Sequence, residues 1–105
     1  MAVVTAVISG PAFSQSLTNL QRQRAQAVGI GAAARCLVRI GRLTSAQARV
    51  LVLRELNKKG LNTTKDWLMT PNANEVIVKL SPYFGADCKS PPDAETFGRI
   101  AVPYL

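Results

Sequence analysis

Leu17, Leu20, Ala27, Ile30, Ala34 and Leu37 recur at intervals that keep returning to one side of a 3.6-residue helix, in a proline-free stretch rich in Gln, Arg and Ala. The pattern predicts a first helix from Ser16 or Thr18 to about Ile40, ended by Gly41, with Cys36 beside Ala33 and Ile40 on an adjoining part of the same face. Gly29 and Gly31 each cost a helix interior about 1 kcal/mol relative to alanine. They mark either a break or a place where a neighbour packs unusually close. The small residues Gly29, Gly31, Ala32 and Ala33, clustered together, favour close packing.

After the turn Gly41-Arg42-Leu43, Thr44 or Ser45 can cap a second helix that runs to Lys59 and stops at Gly60. Ala46, Val50, Leu53 and Leu56, joined by Val52, form its expected inner stripe, with Leu51 on the opposite side. The short connection predicts an antiparallel pair with the first helix. Arg49 falls on the same side as the stripe. A buried, unpaired guanidinium costs several kcal/mol, so Arg49 is expected either to lie at the core edge with its head in water or to meet backbone carbonyls or one of Asp66, Glu75 and Asp87.

Beyond Gly60 the pattern is less regular. Leu61 to Thr64 reads as a linker into a short helix, Asp66 to Met69, with Trp67 and Leu68 anchoring it to the helical pair. Thr70-Pro71 is a cap followed by proline at the first helical position, and Ala73, Val76, Ile77 and Leu80 then keep helical spacing. The β-branched run Val76-Ile77-Val78 leaves a strand as the alternative. Pro82 ends that element, Cys88 lies in a polar turn, and Ser90-Pro91-Pro92 is a loop. Asp93 can cap a last helix from Ala94 to about Ala101, stopped by Pro103. The fold class is therefore all-α: a small single-domain bundle of four or five short helices over residues 15–105, built on the antiparallel pair.

Residues 1–14 stand apart. Met1 to Ile8 are almost wholly apolar, Gly10-Pro11 breaks any helix, and Ala12-Phe13-Ser14 has the small residues that a signal peptidase accepts, giving cleavage between Ser14 and Gln15. The basic region that should precede the apolar run is missing, since no Lys or Arg occurs before Arg22. This segment reads as the end of a truncated secretory signal, or else as an apolar strand or turn packed on the core. It is much shorter than the ~20 residues needed to cross a bilayer.

Cys36 and Cys88 bear on the same question. In a secreted or periplasmic chain they would form one disulfide closing a loop of roughly 53 residues, worth about 4 kcal/mol by chain entropy. In a cytoplasmic chain they would be two reduced, buried, small hydrophobes. A Cys-x-x-Cys redox motif is absent.

Composition removes much chemistry. The 105 residues contain no histidine, which excludes His-based catalysis, two cysteines, which alone cannot complete a four-coordinate zinc site, and six acids, which leave few carboxylates for paired acid–base work. The expectation is a non-enzyme without metal or cofactor. Charge is lopsided: nine basic residues against one acid from Gln15 to Lys59, then four basic against five acidic to the end. Arg35, Arg39 and Arg42, spaced by four and three, extended by Arg54, Lys58 and Lys59, form either a solvated basic face or a face for an anionic partner. The partner it implies is a protein or another anionic surface, with nucleic acid as the alternative, held through phosphates without base reading.

Two motifs carry little. Gly29-Ile30-Gly31-Ala32-Ala33-Ala34 has the letters of a dinucleotide fingerprint but follows a helical run instead of a strand. Leu43 onward has the outline of a helix-turn-helix, but Asp66-Trp67-Leu68-Met69 offers no side chains suited to reading bases. The aromatic residues are scattered and not interleaved with arginines as a stacking surface requires. Asn62-Thr63-Thr64 is a glycosylation sequon, meaningful only in a eukaryotic secretory pathway. The functional expectation is a small helical protein, secreted or periplasmic, acting through protein–protein or structural interactions. The alternative is a cytoplasmic basic module on nucleic acid.

Overall fold

The two long helices begin and end by the same devices. In the computed structural model, which describes residues 17–105, α1 spans Asn19–Arg39 and α2 spans Ser45–Lys58. Thr18 and Thr44 cap them, each hydroxyl accepting from the backbone N–H of Gln21 or Gln47 at 3.1 Å while the glutamine oxygen accepts the threonine N–H at 2.9 Å. These reciprocal bonds satisfy helix-end donors that would otherwise lack partners. At the C-termini Gly41 (φ 81°) and Gly60 (φ 69°) adopt the left-handed conformation, which lets Arg42 N donate to Leu37 O at 2.8 Å and Leu61 N to Leu56 O at 2.7 Å. The tight turn makes α1 and α2 antiparallel, and just past the end of α2 Thr63 Oγ1 donates to Gln23 near the start of α1.

A 3₁₀ turn, Asn62–Thr64, leads into the four-residue α3, Lys65–Leu68. The chain then enters α4, Pro71–Leu80, where Thr70 accepts from Ala73 N and Pro71 sits in the first turn. Val76 to Val78 are helical, and no strand occurs among the described residues. A second 3₁₀ turn, Ser81–Tyr83, and a loop lead to α5, Ala94–Ala101, capped by Asp93 through Thr96 N at 2.8 Å. The result is an all-α fold with five α-helices among the described residues. The proposed signal segment, residues 1–14, lies outside the described residues.

α1 is the central helix, and this changes which of its residues are buried. Ala25, Ala27, Val28, Gly31, Ala32, Ala34 and Cys36 are enclosed, whereas Leu20 is 48% exposed and Ile40 caps the open end. On one flank Val28 and Ala32 pack with Val76, Leu80 and Ala101 beneath Phe84, Phe97, Ile100 and Tyr104. On the other, Ala27 packs with Leu56 and Leu61 beside Ile30, Val52 and Leu68. A helix covered on two sides needs small residues around much of its circumference, so the single stripe read from its larger residues is too narrow. Of the two glycines only Gly31 marks a close approach, where a Cβ would come 2.7 Å from Ile77 Cδ1; at Gly29 it would make ordinary contact with Phe97 at 3.7 Å, and α1 runs unbroken through both. Trp67 and Leu68 do anchor the segment after α2, through contacts with these clusters.

The inner face of α2 keeps Leu56 and Val52 of the expected stripe but not Ala46, Val50 or Leu53. Ala48 and Leu56 are buried with Val52 partly so, while Ala46 is exposed, Val50 is 56% exposed and Leu53 43%. Ala48-Val52-Leu56 repeats at four-residue steps just as regularly as Ala46-Val50-Leu53-Leu56 at four and three, so periodicity alone does not choose between Ala48 and the Ala46-Val50-Leu53 edge as the companion of Leu56.

Candidate functional site

The face that α2 turns toward α1 is only partly filled, because small residues stand where large ones would close the contact. Ala34 on α1 and Ala48 on α2 line an open groove of about 520 Å³ that runs between the two helices toward α3 and α4, while Ile77 takes the space over Gly31. Val38, Val52, Leu56, Leu68 and Ile77 supply the rest of an apolar floor. The charged side chains lining it are all cations: Arg35 and Arg39 from α1, Arg49 from α2 and Lys65 from α3. Among the described residues no aromatic side chain lines it.

One of these cations is held in place and three project freely. Arg39 Nη2 donates to the Ser81 carbonyl at 3.1 Å and approaches Cys36 Sγ at 3.4 Å. Cys36 is joined to Cys88 by a disulfide, Cα–Cα 5.6 Å, so the end of α1 that carries Arg35 and Arg39 is tied to the loop before α5. Arg35, Arg49 and Lys65 are exposed. Among the described residues no hydrogen bond or ion pair engages their side chains. Arg49 therefore meets none of Asp66, Glu75 and Asp87. Its head is in solvent at the groove rim.

The basic residues singled out by spacing do not gather at one place. Arg35 and Arg39 enter the groove, while Arg42, Arg54, Lys58 and Lys59 do not line it. Arg42 lies exposed in the turn after α1. Arg54 and Lys58 each follow a groove residue, Val52 or Leu56, by two positions, which turns them roughly 200° around the helix. Lys58 pairs with Glu55 at 3.7 Å, and Lys59 caps the far end of α2. Arg49 and Lys65 were missed as groove cations because each comes from a different helix than the Arg35-Arg39 row. A weak signal existed in Arg49, a cation four residues from Leu53 and one from Ala48 on an otherwise apolar side.

Elsewhere polar groups fasten segments together. Tyr104 donates to Glu75 Oε2 at 2.9 Å, Lys79 lies 3.3 Å from the same carboxylate and bonds the Tyr104 hydroxyl, and its ammonium sits 4.9 Å from the Tyr104 ring centre. The hydrogen bond from Tyr104, then that from Lys79, holds Glu75 below the ordinary carboxylate range, and the same contacts raise Lys79. This exposed cluster clasps the end of the chain to α4. Arg24 donates to the Leu105 carbonyl at 2.9 Å from above Trp67, 5.0 Å from the ring centre. In the sequon Asn62 is exposed and bonds Asn57, whereas Thr64 is buried with its hydroxyl donating to Leu61 O at 2.7 Å.

Among the described residues no group of three or more His, Cys, Asp or Glu side chains is placed to hold a metal, and no helix is long and apolar enough to cross a membrane. No protein-family model, curated protein or solved structure matches the chain.

Proposed function

We propose that this is a small, non-enzymatic, disulfide-stabilised helical protein that acts by binding another protein along the α1–α2 groove. One observation carries the reading: an open apolar floor bordered by cations from three helices with no acidic residue among them. Interfaces that hold a partner combine a desolvated apolar centre with a charged rim, and the rim sets orientation and encounter rate. A secreted or periplasmic location accords with the Cys36–Cys88 disulfide, because such bonds persist in oxidising compartments.

The alternative, phosphate contacts with nucleic acid, draws on the nine basic residues between Gln15 and Lys59. Against it, Arg39 bonds a backbone carbonyl, Lys58 pairs with Glu55, and Arg54 and Lys58 point away from the groove cations.

Photo-crosslinking in the producing cells tests the interaction. A benzophenone amino acid at Leu53, in the groove, is expected to yield one discrete protein adduct that disappears when Arg35→Glu and Arg49→Glu are added, and the same probe at Thr96 on α5 is expected to yield none. Equal adducts at both positions, or an adduct at Leu53 indifferent to charge reversal, would overturn the reading. Intact mass after thiol alkylation of natively purified protein tests the compartment: no alkylation before reduction and a chain starting at Gln15 are expected. Two freely alkylated cysteines on a chain starting at Met1 would place the protein in a reducing compartment.

A further inference from the structure

Resting on the protein-binding reading, we infer that the groove's occupant is an acidic amphipathic α-helix of the partner, laid between α1 and α2. Shape and charge argue it together. The groove borders α1 from Gly31 to Arg39 and α2 from Ser45 to Leu56, which at 1.5 Å per residue makes walls of about 12 and 16 Å, the length of two to three helical turns. It opens to solvent, as a site for a helix must, with the small residues Ala34 and Ala48 on its floor beside Val38, Val52 and Leu53, an apolar surface for side chains at i, i+3, i+4 and i+7. Arg35, Arg49 and Lys65 stand on three different helices around that floor and have no carboxylate of their own. An occupant with acids on both flanks of an apolar stripe supplies what each lacks.

A second copy of this chain does not fit the same charge pattern. Its helices carry at most one acid each, Glu55 and Glu75 being paired with Lys58 and Lys79 and Asp66 and Glu95 lying on α3 and α5, so among the described residues no helix of this chain offers acids on both flanks of an apolar stripe. Nucleic acid would leave the apolar floor uncovered and find no aromatic side chain to stack on.

The test uses the full, disulfide-bonded chain and fluorescence anisotropy. The probe is a labelled peptide of about 14 residues with leucines at i, i+3, i+4 and i+7 and glutamates on both flanks. It is compared with a scrambled peptide of the same composition, a version carrying lysine for glutamate, and a labelled DNA duplex. The ordered acidic peptide is expected to bind about ten-fold or more tighter than either other peptide, and more weakly as salt rises. Arg35→Glu with Arg49→Glu should weaken it about ten-fold. Arg54→Glu with Lys58→Glu, the same change in net charge outside the groove, should alter it less than about two-fold. Circular dichroism on each variant keeps unfolding separate from lost binding. Equal binding of the scrambled peptide, equal effects of the two double variants, or tighter binding of the duplex would overturn the inference. A charge-dependent crosslink at Leu53 with no preference for the acidic helix would overturn it while leaving the protein-binding reading intact. Loss of that crosslink would remove both.

Discussion

The two flanks of α1 are built from opposite materials. Toward α4 and α5, α1 meets Val76, Leu80 and Ala101 under a cover of Phe84, Phe97, Ile100 and Tyr104, and the Cys36–Cys88 bond ties in the intervening loop. Toward α2 the enclosed residues are Ala27, Leu56 and Leu61 with the small Ala34 and Ala48, while Val50 and Leu53 are exposed and an open groove lies alongside. Large side chains from several elements close the first contact, whereas facing small residues let the helices meet in the second without filling the space. The larger buried cluster lies on one flank and the open apolar groove on the other.

Breaking the disulfide tests that asymmetry most severely. Cys36 and Cys88 are 52 positions apart, and replacing both by alanine should cost about 4 kcal/mol in a chemical denaturation curve, by the loop-entropy estimate. Hydrogen exchange should rise first in the segment between α4 and α5. Faster exchange in α2 than in that segment would contradict the comparison.

Next come paired truncations. Leu80→Ala, in the larger cluster, should cost about 4 kcal/mol, and Leu56→Ala, beside a groove into which neighbours can relax, about 2–3 kcal/mol. Both leucines are fully buried, so the difference reads the packing around them. A larger loss at Leu56 would reverse the assignment of the loosely packed flank.

A smaller effect concerns Asp93, whose carboxyl is held below its ordinary value mainly by the bonds from Thr96 that cap α5. A carboxylate with a depressed folded-state pKa adds stability above its unfolded value. That contribution is lost as pH falls through the folded value. Thermal unfolding should therefore show a capping contribution at neutral pH that declines below about pH 4, and Asp93→Asn, which keeps an acceptor, should remove that part of the pH dependence. An unchanged acid profile in the variant would count against the cap as its source. The smallest change is expected on the open side: Val50→Gln should alter stability by less than about 0.5 kcal/mol, because Val50 is 56% exposed.

Much of the fold is legible because its signals are local. Thr18, Thr44, Thr70 and Asp93 cap their helices through groups within three residues, and Gly41 and Gly60 end two of them by their own conformations. Val76 to Val78 were ambiguous because β-branching disfavours a helix only weakly, and the packing of Val76 against α1 outweighs it. The candidate groove was less legible. Arg35 and Arg39 stood out as a row, while Arg49 looked like a core-edge exception and Lys65 like an ordinary surface charge.

By itself the sequence determined the helical class, the helix boundaries and the antiparallel sense of α1 and α2, since each follows from caps, turns and periodicity within a few residues. It also limited disulfide formation within the chain to one pairing, there being only two cysteines. Tertiary structure alone decided that Ala48 joins Leu56 on the inner side of α2 in place of Ala46 and Val50, that Ile77 packs over Gly31, and that Arg35, Arg49 and Lys65 border one groove. Periodicity sets the angle at which a side chain leaves its own helix axis. Where that axis lies relative to others depends on how side chains from distant segments, Ile77 against Gly31 among them, fill the space between.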